Sequence, residues 1–227
     1  MKLEGITVLD LSLFLPGPAA TQIMADHGAR IIKVENPRAP EPTRSADAFP
    51  WQQGGETVMF RNTQRGKESI ALDLKTEAGK RALLALAKTV DVIVEAFRPG
   101  VAARLGIDYA ALSTDNPGLV YCSISAFGQT GPWCNRPAHD TATVAAAGVL
   151  DVTRSPEGTA GPAIIGVPIA DMLASNLALS GILMALLRRQ TTGQGDFVDI
   201  SMFESVLAAS PNIMGPVFGG DQAPERL

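Results

Sequence analysis

Cysteine is nearly absent from this chain of 227 residues, where Cys122 and Cys134 are the only two. Two thiols make no disulfide framework, so a reducing, cytoplasmic compartment is expected. Their spacing also lacks the second ligand pair of a zinc site, and no metal is expected. Nucleotide signatures are missing too. The loop after the first apolar run carries only Gly17 between two prolines. With neither G-x-G-x-x-G nor G-x-x-x-x-G-K-[ST], a nicotinamide dinucleotide site and a P-loop NTPase are both unsupported. Ser12 and Ser125 lack a G-x-S-x-G setting, which argues against a serine hydrolase. The opening MKLEGITVLDLS reaches Asp10 quickly and has no unbroken apolar core, unlike an export signal. The most apolar stretch, Met172 to Leu187, is short for a bilayer, starts beside Asp171 and ends at Arg188-Arg189; it reads as a helix buried in a soluble core. Excess positive charge is absent as well. A net charge of −4 and a pI near 5.2 argue against nucleic acid or a polybasic membrane surface as partner.

What is present is core-forming material. The chain is 46% hydrophobic and 19% charged, with a mean hydropathy of +0.14, which suits one large domain or two small ones. Ile6 to Leu11 reads as a buried strand, Leu15 to Pro18 as a break, and Ala19 to His27 as a helix stopped by Gly28. Arg30 to Glu35 is a second strand, completing a parallel crossover. Asn36 to Gly55, rich in proline and polar residues, reads as a long surface loop. Further strands are expected at Ser69 to Leu74, Asp91 to Ala96, Leu119 to Ile124 and Phe197 to Ser201. Between them, Thr76 caps a helix reaching about Lys88, and short helices cover Val101 to Leu105 and Tyr109 to Ser113. Thr141 to Leu150 is Ala-rich and helical, Arg154 to Gly166 is a loop, and Pro168 opens a long helix ending before Thr191. Met202 to Ala209 forms a last helix. Strands alternating with helices indicate an α/β fold with a mostly parallel sheet flanked by helices.

Such sheets bind ligands beyond the carboxyl ends of their strands, which directs attention to Leu13–Pro18, Glu35–Arg38, Leu72–Lys75, Glu95–Gly100 and Ser125–His139. Basic residues recur there: Lys33, Arg38, Arg44, Arg65, Lys67, Lys75, Arg98 and Arg104. If several converge they suit phosphates; otherwise they are ordinary surface charge. Glu35 reads equally as a solvated strand end. Asp171, three residues after Pro168, stands at the start of an apolar helix. It is either a simple electrostatic partner of the helix dipole or a carboxylate kept anionic by backbone N–H groups and able to attack an activated carbonyl. His139, one of two histidines, is a structural residue or a base titrating near neutrality. Asp140 reads as a helix cap.

Together these segments resemble the class III CoA-transferase family, which includes formyl-CoA and carnitine CoA-transferases and alpha-methylacyl-CoA racemase. The resemblance is carried by Gly5–Ser12, Gly17-Pro18, Ala25–Glu35, Ser69–Lys75, Asp91–Gly100, Arg104-Leu-Gly106, Ser125–Pro132, Val167–Asp171 and Thr192–Ser201, in family order. It implies a Rossmann-like large domain, an interlocked homodimer, and acyl-CoA and carboxylic acid substrates, with CoA thioester as substrate rather than a tightly bound cofactor. It implies that Asp171 is the nucleophile, forming an aspartyl anhydride and then an enzyme-CoA thioester. Family CoA contacts fall on Leu15, Pro16, Leu72, Asp73, Leu74, Lys75, Ala96, Phe97, Arg98 and Arg104, and on Arg136 to His139. Of these, Lys75, Arg98 and Arg104 would meet phosphates. Asn36 stands where some members have an arginine near the adenine, with Arg38 as the nearby substitute. The racemase members pair a histidine at the position of His139 with the acid at Asp171, but the context VPIADMLAS is closer to the transferases. The chain reads as one large-domain region over residues 1–227, with the small domain and returning C-terminal segment absent. A CoA-binding or regulatory remnant without turnover is the alternative from another class.

Overall fold

The structure, a computed structural model, describes residues 1–47, 49–153 and 162–220. In chain order the elements begin with β1 (Thr7–Asp10), α1 (Pro16–Asp26) and β2 (Arg30–Glu35), followed by a 3₁₀ turn at Pro42–Arg44. Next come β3 (Gln52–Gln53), β4 (Glu56–Thr57), α2 (Val58–Gln64), β5 (Glu68–Ala71) and α3 (Glu77–Ala87). The middle holds β6 (Val92–Glu95), α4 (Val101–Leu105), α5 (Tyr109–Asp115) and β7 (Val120–Ser125). The remainder is α6 (Asp140–Ala146), α7 (Val149–Val152), α8 (Ile169–Thr192), β8 (Asp196–Ser201), α9 (Met202–Ala208) and α10 (Pro211–Gly220).

Six strands form one parallel sheet in the order β5-β2-β1-β6-β7-β8, and β3 and β4 make a separate hairpin. Counting only the six, this is the doubly wound order 3-2-1-4-5-6, whose direction reverses between β1 and β6. The expected α/β, Rossmann-like, mostly parallel sheet flanked by helices is therefore what the chain forms. The inner strands β6 and β7 are buried almost throughout rather than alternating, because helices cover both faces. One face packs Val8, Ile31, Val92 and Cys122 against α1, α6, α8 and α9; the other packs Leu9, Ile32, Ile93 and Tyr121 against α3, α4 and α5.

Several local expectations are corrected. The strand ends before Leu15 to Pro18 as expected, but the helix starts earlier than Ala19: Pro16 and Pro18 occupy the first turn of α1. Proline fits there because first-turn N–H groups have no intrahelical partner. Gly17 is needed in that turn, since a Cβ would lie 2.2 Å from the side chain of Ser12. The stretch after β2 is not simply a surface loop: it includes the 3₁₀ turn and the β3–β4 hairpin, and it buries Glu41 and Thr43. Residues 154–161 of the expected loop lie outside the described residues. Helices α2 and α10 carried no expectation. Helix α8 runs on to Thr192, where Gly193 in left-handed conformation (φ +68°) donates its N–H to the Arg189 carbonyl at 2.8 Å.

Only one face of α8 is buried. Ala170, Ala174, Ala178, Ile182 and Ala185 recur at helical spacing against the sheet, while Leu177, Leu183, Met184 and Leu187 are exposed. By length and composition this helix could also cross a membrane.

Helix α3 begins as expected, with the Thr76 hydroxyl accepting the Gly79 N–H at 3.1 Å. A Cβ on Gly79 would stand 2.2 Å from the carbonyl oxygen of Asp73. Alanine normally favours a helix over glycine by up to ~1 kcal/mol. Gly79→Ala is expected to do the reverse, lowering stability by ~1–3 kcal/mol as the Leu72–Lys75 turn is forced aside. Thermal denaturation checks this, at roughly 2–4 °C per kcal/mol for a chain of this size; an unchanged or higher Tm would show that the turn yields freely.

Candidate active site

Two cavities open at the carboxyl ends of the strands, on either side of the reversal between β1 and β6. The first, about 370 Å³, is lined by Leu72, Asp73, Leu74, Lys75 and Arg104, together with Leu11, Leu13, Val34, Asn36, Phe97 and residues of α4. The second, about 900 Å³, is lined by Phe14, Pro16, Ala96, Arg98, Ile124, Arg136, His139, Ala142, Asp171 and Met202, among others. Leu13 and Phe97 line both. The expected site residues thus gather at the switch point, divided between two adjoining spaces. Leu15 is the exception: half-buried as the N-cap of α1, it lines neither.

The basic residues divide sharply. Lys33 and Lys67 are buried and paired with Asp10 at 3.7 and 3.0 Å, and Lys33 also pairs with Glu41 at 3.1 Å. Arg44 pairs with Glu35 at 2.7 Å, and Arg65 pairs with Asp26. These four neutralise the protein's own carboxylates and do not converge on a ligand. Arg38 lines neither cavity; it is exposed and pairs at 3.5 Å with Asp73, which lines the first. Lys75, Arg98, Arg104 and Arg136 make no ion pair among the described residues and line the cavities. Arg136 instead lies over the Trp133 ring at 4.8 Å. Trp133 packs on Phe127 and Phe203 at 5.4 and 5.5 Å, which braces the 126–139 segment.

Glu35 is not a solvated strand end. It is 6% exposed and accepts from Arg44, Ser69 and the Glu41 N–H. Burial raises its pKa, but the Arg44 hydrogen bonds and their companions outweigh that and hold it at about 2. Glu95, at the end of β6, has no cation partner among the described residues. Its carboxylate accepts the Phe97 N–H at 2.6 Å, so it braces one residue of the boundary between the cavities. Burial, with a smaller contribution from Asp199, pushes it up to about 7 despite hydrogen bonds from Ser123 and Phe97.

Asp171 lies in the first turn of α8, yet the helix amides do not serve it. Asp140 takes them: its Oδ1 accepts from the N–H groups of Ala170 and Asp171 at 2.7 and 3.2 Å. Asp140 thus caps α8 rather than its own helix, a role no local sequence signal announces. Asp171 is left against apolar walls beside a second carboxylate. Burial, then the charge of Asp140, raise its pKa to about 7. The expectation of a carboxylate kept anionic by backbone N–H groups is corrected accordingly. His139 lines the same cavity, its ring edge-on to Phe14 at 5.7 Å. Sequence reading did not single out Phe14, Glu41 or Glu95. The two glutamates each follow or end a strand near a loop, but only burial marks them.

This arrangement defines a doubly wound α/β protein with a cation-rimmed groove at the switch point and, next to it, a half-buried carboxylate that has no cation partner among the described residues. The chain belongs to the CoA-transferase family III, whose model matches residues 3–227. It is 38% identical over 224 residues to the acetyl-CoA:oxalate CoA-transferase of Acetobacter aceti, covering 99% of this chain and 57% of that one. It is 37% identical over 217 residues to the succinate–glutarate CoA-transferase of Agrobacterium fabrum, covering 93% and 54%. A CaiB/BaiF family protein from Brucella suis superposes with a TM-score of 0.91 at 33% identity, over 99% of this chain and 59% of that one. The chain spans about half the length of the curated relatives it matches.

A carboxyl whose folded pKa is about 7, against an ordinary 3.8, binds a proton in the native state that the unfolded chain lacks across that interval. Its ionisation therefore costs stability as pH rises through the window and relieves it as pH falls. Asp171→Asn is expected to melt higher than the parent near pH 8, with the gap closing toward about pH 4. Paired melting curves across pH check this; a variant less stable at alkaline pH would contradict the assignment.

Proposed function

We propose that the protein moves CoA from an acyl-CoA donor to a carboxylic acid through covalent intermediates on Asp171. The observation that carries this reading is the placement of Asp171. Among the described residues it is the one carboxylate lining the larger cavity and has no cation partner; that cavity shares Leu13 and Phe97 with a second one bearing Lys75 and Arg104. In this reading the smaller cavity and its rim hold the nucleotide end. Backbone groups at Leu72–Leu74 and Ala96-Phe97 face adenine and pantetheine, and Lys75, Arg98 and Arg104 meet phosphates. The pantetheine arm passes between Leu13 and Phe97, so the thioester enters the cavity of Asp171.

Once ionised, an Asp171 oxygen attacks the thioester carbonyl. The C–S bond breaks, CoA leaves as thiolate, and a mixed anhydride remains on the enzyme. The thiolate then attacks the aspartyl carbonyl and releases the donor as its carboxylate, leaving an enzyme-CoA thioester. The acceptor carboxylate attacks that thioester, expelling the thiolate and forming a second anhydride. Attack by the thiolate on the acceptor acyl carbon gives the new acyl-CoA and restores Asp171. Apolar walls at Ile124, Ala142, Ala145 and Met202 favour this route, since water would hydrolyse either intermediate. A raised pKa also makes Asp171 a more basic nucleophile than an ordinary carboxylate, at the cost of needing neutral or higher pH.

The relatives named for oxalate, succinate and glutarate support a small dicarboxylic acid as acceptor. Arg136, free of any carboxylate among the described residues, is suited to its second charge. The acid–base racemase alternative using His139 and Asp171 is not favoured, because the relatives named above are transferases. The apolar outer face of α8 supports a homodimer as part of the proposal.

Incubation with an acyl-CoA and hydroxylamine should convert Asp171 to the hydroxamate, seen by peptide mass spectrometry, and Asp171→Asn should cut exchange of labelled CoA by roughly a thousandfold or more. CoA that raises Tm by binding linkage with no exchange and no hydroxamate would return the protein to a binding module. The exchange rate should fall below about pH 7 with the titration of Asp171. Asp140→Asn should move that limb to lower pH by removing the neighbouring charge, while Asn still caps the helix. A limb unmoved in this variant would separate Asp140 from the nucleophile.

A further inference from the structure

Phe14 is the one non-glycine among the described residues with a left-handed backbone, at φ +64°. For a bulky side chain this conformation persists only when surrounding structure imposes it. The imposing group is visible. The Phe14 N–H donates to Oε1 of Glu41 at 3.0 Å, across a separation of 27 residues. Glu41 is 1% exposed, and the same oxygen accepts from the Thr43 N–H and hydroxyl at 3.3 and 3.1 Å. Its other oxygen faces the Lys33 ammonium at 3.1 Å. Lys33 in turn donates to the Ser12 carbonyl and pairs with Asp10. The loop is therefore held at both Ser12 and Phe14 by one buried ionic cluster that opens onto neither cavity.

The consequence of the left-handed turn is where the ring goes. Phe14 is 40% exposed, lines the larger cavity, and meets the His139 ring edge-on at 5.7 Å and 78°. An extended backbone at this residue would carry the side chain elsewhere and remove that wall. We propose that Glu41 is a positioning residue for the reaction cavity: by pinning the Phe14 backbone from inside the fold, it presents the Phe14 ring to His139 and limits the room for the acyl group. This rests on the CoA-transfer reading for its ligand, and the placement of Phe14 by Glu41 can be tested apart from turnover.

The chain has only two histidines, His27 and His139, so their ring resonances are separable by a single substitution. Phe14→Gly removes the ring where the backbone needs no strain. It should move the His139 resonance, leave His27 in place, and raise the binding preference for a hexanoyl over an acetyl CoA thioester by roughly tenfold. Glu41→Leu, which removes the acceptor, should reproduce both changes. Glu41→Gln, which keeps an acceptor oxygen, should stay close to the parent. In the Phe14→Gly background, Glu41→Leu should add nothing further to the chain-length preference. If loss of the Glu41 partner of buried Lys33 prevents Glu41→Leu from folding, the joint Lys33→Met and Glu41→Leu variant replaces the ion pair with apolar groups and carries the same readings.

A folded Glu41→Leu or joint variant with an unmoved His139 resonance, or an effect that adds in full to Phe14→Gly, would overturn the proposal. An unchanged chain-length preference in Phe14→Gly would equally overturn the role of the ring. Because resonance and binding are read without turnover, a chain that shows these shifts but exchanges no CoA would refute the transfer reading while sustaining the positioning.

Discussion

At the end of β1, Asp10 has no access to water, and its charge must be balanced from within. Burial raises its pKa, but two lysines and two hydroxyls outweigh that and hold it well below the usual carboxylate range. This one neutralisation organises the start of the site. Lys33 comes from β2 and Lys67 from the approach to β5, so the three adjacent strands are joined by charge as well as by backbone hydrogen bonds. Lys33 then requires Glu41, and Glu41 requires the N–H groups around it, Phe14 among them. A buried ion pair is not in itself a source of stability. Here its structural effect is to determine the path of a loop bordering both cavities.

The carboxylates at the strand ends and helix start sort by whether a cation reaches them. Asp10 and Glu35 have lysine or arginine partners and are held low; Glu95 and Asp171 have none among the described residues and are pushed up to about 7. The difference is chemical as well as thermodynamic. A salt-bridged carboxylate is a poor nucleophile and a good strut, whereas a desolvated one without a partner is reactive when ionised. Asp140 sharpens the contrast by occupying the α8 amides that would otherwise have stabilised the anion on Asp171. The same acid thus secures the helix bearing Asp171 and raises the pKa of its carboxyl.

Much of this was legible in the linear order. Each of the six sheet strands was marked by a short apolar run, and Thr76 announced its helix. The switch-point rule directed attention to the loops that line the cavities, and Asp171 stood out as an acid opening a greasy helix. Other features were not legible for identifiable reasons. The proline pair before Ala19 signals a break and a helix start equally well. Glu35 and Glu41 look solvated because polarity, proline and a loop setting predict exposure, while their partners lie several residues away or on another strand. Nothing near Asp140 indicates that it caps a helix thirty residues later.

Residue type and spacing were enough to determine the alternation of strands and helices, and hence a mostly parallel α/β sheet, while its doubly wound strand order is a property of the folded chain. The alternation is a property of local propensity and of the burial pattern along a short segment. Which cations were spent on the protein's own carboxylates and which stayed free to meet a ligand was decided only in three dimensions. So was the protonation state of Asp171. Charge energetics depend on distance and solvent access, and neither follows from separation along the chain.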